Sequence, residues 1–178
     1  MIQPADNYYV QSSERLVFRS FTEMDSVAFL PFFDRDDYQR FLAQDISIPA
    51  KERSETWIQR QMQRKAERQF GQLAILEKAT GGFIGAGGII ARENVNGAEE
   101  YEITYSLIPA FWGKGYAREL ALHFIHFAQE NLPIKSVISL IHPENAASIG
   151  VAEANGLKRD GEWNFMGMPV LIYRLTFD

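Results

Sequence analysis

Residues 99–131 constrain the fold more than any other part of the chain. From Glu99 to Ile108, apolar and polar side chains alternate, which predicts a β-strand with one face on a core and the other on a cleft. A loop with two glycines follows, and then apolar side chains recur at helical spacing over residues 113–131: Ala117, Leu120, Ala121, Phe124, Ile125 and Ala128. Because that apolar stripe must pack on another layer, the segment predicts an α/β (α+β) fold.

The flanking sequence extends the same pattern of strands and helices. The predicted strands are residues 15–21, a hairpin over 71–90 with its turn at 79–82, and residues 135–141, 157–163 and 170–177. The predicted helices are residues 22–33, 36–44, 54–69 and 145–155, the first of them starting at the capping-box pair Thr22 and Asp25. The 178 residues contain no repeat or low-complexity linker, so a single domain over residues 1–178 is expected.

Composition excludes several classes of function. Without cysteine the chain has no disulfide framework, thiolate nucleophile or Cys-ligated metal. A net charge of -5 argues against a nucleic-acid partner and favours a cationic substrate such as an amine. No signal sequence and no apolar run long enough for a membrane span is visible, so a cytoplasmic protein without a membrane partner is expected.

The loop before the long helix has the chemistry of an anion site. Gly113 and Gly115 let the backbone approach a ligand closely, and the helix start offers unpaired N–H groups and the positive end of the helix dipole. Lys114 and Arg118 add positive charge, so a pyrophosphate would fit. The same glycines could also form a tight turn and nothing more. Residues 81–88 are rich in glycine too, but they lack the Lys-Ser/Thr of a P-loop and favour a hairpin.

Three segments together resemble the GNAT superfamily of N-acetyltransferases, in particular the branch that acetylates the N-termini of ribosomal proteins. ERLVFRSFTEMD resembles the first strand and helix of that branch, IPAFWGKGYARE its coenzyme-A loop, and HPENAASIGVAEANGLKRDGEW its later strand, helix and turn. The resemblance implies a mixed, mostly antiparallel twisted sheet with a central splayed strand pair, flanked by helices. It also implies direct transfer of acetyl from acetyl-CoA to an amine, without a covalent enzyme intermediate.

The resemblance also assigns residues to the cofactor. By position they are Ser106, Leu107, Ile108, Trp112, Gly113, Lys114, Gly115, Tyr116, Ala117, Arg118, Asn145 and Ser148. Trp112 stands where the superfamily has Gln or Arg, which leaves the backbone of the loop intact. The strand end at residues 106–108 is expected to bulge and pair with pantetheine, and a backbone N–H near Leu107 would face the thioester carbonyl.

Asn145 and Ser148 match the N-x-x-S helix start of the family. By the resemblance, Ser148 would donate a hydrogen bond to the leaving thiolate. Asn145 would hold the pantetheine arm, or it would only cap the helix, since Asn is also favoured there for capping.

Glu102 is the preferred catalytic base, because it lies on the polar face of the strand a few residues before the expected bulge. Glu100 shares that face and is the second candidate, while both could instead be solvated surface carboxylates. An α-amine with a pKa near 7.8 costs only about 1 kcal/mol to deprotonate at pH 7, against roughly 4–5 kcal/mol for a lysine-like amine. A peptide N-terminus would therefore need only a weak base.

The acceptor is the least constrained part of the prediction. A protein or peptide α-amine follows from the branch resemblance, with a small amine or a non-catalytic acyl-CoA sensor as alternatives and a homodimer as a possible assembly. His123 and His126 lack the spacing of a metal motif, so no metal is expected. His142 could touch substrate or be structural. The side chains that could wall an acceptor pocket, or belong to the core, are Phe32, Phe33, Tyr38, Phe41, Trp57, Trp163, Phe165 and Met166.

Overall fold

The fold is built on one mixed sheet. The computed structural model describes residues 1–35 and 39–177, and within them the strands are β1 Val10–Ser12, β2 Leu16–Arg19, β3 Gln72–Glu77, β4 Phe83–Val95, β5 Ala98–Leu107, β6 Ser136–Ile141, β7 Lys158–Phe165 and β8 Met168–Thr176. They lie in the order β1-β2-β3-β4-β5-β6-β8-β7. Every neighbouring pair is antiparallel except β5 and β6. The predicted mostly antiparallel sheet is thus confirmed.

Helices cover both faces of the sheet. They are α1 Asp25–Phe33, α2 Ala50–Ala66, α3 Tyr116–Asn131 and α4 Ala146–Ala154. Side chains of α3 and α4 share one apolar core with β5. Those of α1 and α2 form a second core with Ala74 and Ala86 of the sheet. Within the described residues, no helix is long and apolar enough to cross a membrane.

The apolar stripe predicted for α3 is its buried face. Leu120, Phe124 and Ala128 are completely buried in the core that α3 shares with the sheet. The helix begins at Tyr116 and not at Gly113, because Gly113 and Gly115 have φ values of 72° and 80°, in the left-handed region. The two glycines therefore form a turn that ends where the helix starts.

Three other predicted boundaries are wrong. Helix α1 starts at Asp25 instead of Thr22, although the Asp25 carboxylate does accept a hydrogen bond from the Thr22 N–H at 2.7 Å. Helix α2 starts at Ala50, directly after Pro49, which fixes a backbone angle suited to a helix start. Of the helix predicted over residues 36–44, residues 36–38 lie outside the described residues, Gln39 is helical, and residues 41–44 form no helix. Strand β1 was not predicted at all, since its three residues carry no clear pattern.

The sheet opens between its two parallel strands. Strands β5 and β6 are paired only where Glu102 lies beside Ile138. Beyond that point β5 stays paired with β4 and β6 with β8, while the Ser139 hydroxyl donates a hydrogen bond to the Ile103 carbonyl at 3.1 Å. The predicted splayed strand pair is confirmed, and it leaves a gap between the ends of β5 and β6.

Tyr8 links the start of the chain to the centre of the sheet. Its fully buried hydroxyl donates to the Gly71 carbonyl at 2.5 Å and accepts from the Ile89 N–H at 2.8 Å.

We expect Tyr8→Phe to lower the free energy of unfolding by about 1–3 kcal/mol, because two buried backbone groups lose their partner. Urea titration measures the loss. Tyr9→Phe is the control, since the Tyr9 hydroxyl makes one long, exposed contact, and an equal loss in both variants would contradict the prediction.

Candidate active site

A cleft of about 390 Å³ opens where β5 and β6 separate. Its base contains Glu102, Thr104 and Ser106, the polar face of β5, which is where the sequence predicted a cleft. Helix α2, residues 41–45 and the turn between β7 and β8 wall it. At the other end it reaches the start of α4. The cleft therefore connects the α2 face of the sheet with the α4 face.

Glu102 is a buried carboxylate with one occupied oxygen. Its side chain is fixed by Arg92, whose Nε donates to Oε2 at 2.7 Å and whose Nη2 forms an ion pair with the same oxygen at 2.6 Å, and the residue is only 5% exposed. Arg92 in turn stacks over the Phe165 ring at 4.7 Å. Within the described residues no hydrogen bond reaches Oε1. Glu102 is thus not a solvated surface carboxylate, and Oε1 faces a cleft that could hold an amine or a water.

Glu100 lies outside the cleft. Arg174 donates to both of its oxygens, at 2.8 and 3.0 Å, and also pairs with Asp160 at 2.7 Å. The two hydrogen bonds and the ion-pair network give Glu100 a structural role in joining β5 to β8. The structure therefore does not bring the second candidate base to the site.

Two hydroxyl groups meet at the splay, Ser148 at the start of α4 and Tyr105 on β5. Asn145 caps the helix, since its Oδ1 accepts from the Ser148 N–H at 3.1 Å, as the capping alternative requires. Ser148 lines the cleft beside the Tyr105 hydroxyl. Burial raises the pKa of Tyr105 to about 12, so this hydroxyl stays protonated at neutral pH. The alternation in β5 assigned Tyr105 to the core, and nothing in the sequence signalled its contact with Ser148.

The end of β5 offers one free backbone donor to the splay. The Ile108 N–H donates to the Ile84 carbonyl at 2.9 Å, and Ser106 is paired with Ala86. Because backbone groups alternate in direction along an antiparallel strand, the N–H of Leu107 points the other way, into the splay. The Leu107 carbonyl accepts from Trp112 Nε1 at 2.7 Å. Of residues 106–108, Leu107 is thus the one whose amide N–H faces the gap.

The glycine loop lies open at the start of α3. A Cβ atom at Gly113 would meet nothing within 4 Å, and at Gly115 it would meet only the Arg15 guanidinium at 3.4 Å. The first helical hydrogen bond runs from Glu119 to Gly115, and no side chain caps the helix. The earlier N–H groups therefore face solvent or a ligand, with the exposed Lys114 beside them.

Not every residue predicted for the loop directs its side chain there. Tyr116 is buried, its hydroxyl donates to Glu77, and Arg15 covers its ring at 4.6 Å, so only its backbone remains for a ligand. Ala117 is half-buried against the α3 core, whereas Arg118 is exposed.

The remaining candidates divide between the cleft and the core. Those that line the cleft are Phe41, Trp57, Phe165, Met166 and His142. Phe32 and Phe33 belong to the core of α1 and α2, Trp163 packs against a smaller core, and Tyr38 lies outside the described residues. His123 stacks on Phe18 at 4.8 Å. Among the described residues, no three His, Asp or Glu side chains are grouped so that they could hold a metal.

The comparisons with known proteins agree with this geometry. The model of the acetyltransferase (GNAT) domain matches residues 15–158. The chain belongs to the GNAT acetyltransferase family. YkkB of Bacillus subtilis (strain 168), an uncharacterized protein, is 33% identical over 100 residues, which are 54% of this chain and 56% of YkkB. The chain thus spans about half the length of the curated relatives it matches.

Solved structures share the fold of this GNAT chain. A GNAT-family acetyltransferase from Bacillus anthracis has a TM-score of 0.78 at 19% identity, over 94% of this chain and 98% of that one. RimL, a ribosomal L7/L12 α-N-protein acetyltransferase solved with coenzyme A, has a TM-score of 0.75 at 18% identity, over 95% and 98%. Other neighbours of this fold are ribosomal-protein serine or alanine acetyltransferases.

Proposed function

We propose that this protein transfers an acetyl group from acetyl-CoA to a primary amine, and that this amine is the α-amine of a protein or peptide. One observation carries the proposal. The cleft through the splay has a buried carboxylate, Glu102, on one side and a pair of hydroxyl groups, Tyr105 and Ser148, on the other. A proton acceptor and a proton donor are therefore placed on opposite sides of the point where two substrates would meet.

The glycine loop and the end of β5 would hold acetyl-CoA, which supplies an activated acetyl thioester. The open turn at Gly113 and Gly115, the start of α3 and the exposed Lys114 and Arg118 suit the phosphates. The splayed end of β5 suits the amides of pantetheine, and the Leu107 N–H would stabilise charge on the thioester oxygen by about 3–4 kcal/mol.

The chain's own groups then account for the proton that the amine loses and for the proton that the thiolate of coenzyme A gains. The neutral amine attacks the thioester carbon, so that a C–N bond forms while the C–S bond breaks. Glu102 Oε1, directly or through a water, takes the proton that the amine loses. Ser148 and Tyr105 donate hydrogen bonds to the departing thiolate, because the raised pKa of Tyr105 keeps its hydroxyl protonated. The proton taken up by Glu102 then passes through water to the thiolate, which restores the free carboxylate. No covalent enzyme intermediate is needed.

The choice of a peptide α-amine rests on two lines of support. RimL, which shares the fold, is by name an α-N-protein acetyltransferase. The cleft of about 390 Å³ is large enough for the first residues of a peptide and too small for a folded domain. A small amine with similar dimensions is the alternative.

Calorimetric titration with acetyl-CoA tests the cofactor, comparing wild type with Gly115→Trp. We expect wild-type binding to saturate. Gly115→Trp should bind acetyl-CoA about ten-fold or more weakly, because the new side chain blocks close approach of the phosphates to the glycine loop. Gly97→Trp is the control, since Gly97 has a matching φ of 88° and open space but lies in the turn between β4 and β5. Absence of binding by the wild type would refute the proposed function; equal weakening in both variants would refute the placement of the phosphates.

A further inference from the structure

The α2 end of the cleft, where the amine substrate would bind, carries several arginine side chains, although the net charge of the whole chain is -5. Arg60 and Arg64 of α2 and Arg92 of β4 all line it. Glu102 neutralises Arg92. Among the described residues, no carboxylate forms an ion pair with Arg60 or Arg64. The acidic side chains at the outer rim, Asp45 and Glu52, are exposed.

Arg64 is held in place at this end. Its Nη1 donates to the Phe70 carbonyl at 3.1 Å, and its side chain packs on Gly71, where an added Cβ would lie 3.0 Å from Arg64 Cδ. Burial lowers the pKa of Arg64, and the neighbouring charges of Arg92 and Arg60 lower it further. A bound anion would relieve this repulsion and the cost of burying the guanidinium.

The buried side-chain atoms of the cleft that have no partner among the described residues include Gln72 Oε1, Trp57 Nε1 and Gln44 Oε1. Gln72 is only 3% exposed; its Nε2 donates to Thr104 Oγ1 at 3.2 Å, while its Oε1 accepts nothing. Trp57 Nε1, on the α2 wall, has no acceptor. A native cleft that leaves a buried acceptor and a buried donor unpaired is suited to a ligand that supplies both partners.

These groups are separated by type across the cleft. Two free acceptors, Glu102 Oε1 and Gln72 Oε1, lie on the sheet, and a third, Gln44 Oε1, lies on the segment before α2. Thr104, which contacts Gln72, is two residues from Glu102 on the same face of β5. The donors lie on α2: the unpartnered Trp57 Nε1, the half-buried guanidinium of Arg64, of which Nη1 binds the Phe70 carbonyl, and the exposed guanidinium of Arg60. A ligand with a donor at one end and an anion at the other would match this arrangement.

We propose that the acceptor carries a carboxylate close to its amine, and that Arg64, with Arg60 and Trp57, binds this carboxylate while Glu102 and Gln72 receive the amine. The inference rests on the proposed function and deepens it by naming the substrate class. Acceptors would be peptides whose second residue is acidic, or free amino acids, which carry the same two groups. The net charge of -5 favours a cationic substrate such as an amine; the proposed acceptor keeps that amine and adds a carboxylate.

The test compares acceptors that differ only in charge. With the full chain and acetyl-CoA, release of free coenzyme A is followed for three tetrapeptide amides that begin with serine and have Glu, Gln or Lys second. We expect kcat/KM for the Glu peptide to exceed that for the Gln peptide by about 10- to 100-fold, the range for a hydrogen-bonded charge, with the Lys peptide lowest. Free glutamate against its own α-amide, which lacks only the α-carboxylate, is assayed in parallel and distinguishes an amino acid from a peptide as the source of the carboxylate.

Arg64→Met identifies the residue responsible. We expect Arg64→Met to reduce the ratio of kcat/KM for the Glu peptide to kcat/KM for the Gln peptide to about one. Arg64→Lys should restore part of this ratio. Lys51→Met is the matched control, because Lys51 carries the same charge on the same helix but is exposed and outside the cleft; its ratio should stay that of the wild type. Equal rates for all three peptides, preference for the Lys peptide, or an unchanged ratio in Arg64→Met would overturn the inference and leave the proposed function standing. Failure of acetyl-CoA to bind would instead overturn the proposed function itself.

Discussion

Gly85→Ala should destabilise the protein by about 3 kcal/mol, the largest loss we expect from a single added methyl group. Gly85 lies on β4 opposite Leu107, where β5 ends at the cleft. An added Cβ would lie well inside contact distance of the Ser106 carbonyl oxygen and 2.9 Å from Leu107 Cα. Both are backbone atoms, so the end of β5 must move. The backbone itself has a φ of 152°, which L residues rarely adopt.

Gly150→Ala is the matched control with the opposite sign. Gly150 lies inside α4, and a Cβ there would meet nothing within 4 Å. The added methyl should stabilise the helix by about 0.5–1 kcal/mol, because glycine is a poor helix former. Urea unfolding of the two variants beside wild type checks both values. A Gly85→Ala protein as stable as wild type would mean that β4 and β5 are not as close as the structure places them.

Most of the sheet could be predicted because its signals are local. The alternation in β5 and the helical stripe of α3 depend on neighbouring residues, and both led to the correct buried faces. The start of α3 was missed by three residues for a physical reason. Gly113 and Gly115 continue the sequence pattern, but their left-handed conformation, visible only in the structure, excludes them from the helix.

The parts of the site that sequence could not predict depend on contacts between distant residues. Glu102 was predicted as the base from its face of β5, but its partner Arg92 comes from the neighbouring strand. Tyr105 meets Ser148, which is 43 residues later in the chain, only because β5 and β6 separate. In the sequence Arg64 is one of many charges on a polar helix, and only the fold shows that it packs on Gly71 and lines the cleft. Charge patterns along a sequence do not show which side chains share a cleft.

Glu102→Gln should lower kcat by about 10²-fold, the lower end of what general base catalysis contributes. Glutamine keeps the size of the side chain but cannot take a proton. We expect the affinity for acetyl-CoA to be unchanged, because Glu102 lies on the α2 side of the splay, away from the glycine loop. An α-amine acceptor, with its pKa near 7.8, should lose less rate than a lysine-like amine, since a larger fraction of it is already neutral at pH 7. Steady-state kinetics and calorimetry measure the two effects.

Glu100→Gln separates catalysis from ion pairing. Glu100 is two residues away on the same face of β5, and it pairs with Arg174 as Glu102 pairs with Arg92, but it lies outside the cleft. Both variants break a carboxylate–arginine pair, so both should lose stability, Glu100→Gln the less, because Arg174 keeps its ion pair with Asp160. Only Glu102→Gln should lose kcat. Equal losses of kcat would show that the ion pairs, and not a base, matter for the rate; full activity in Glu102→Gln would assign the proton to water alone.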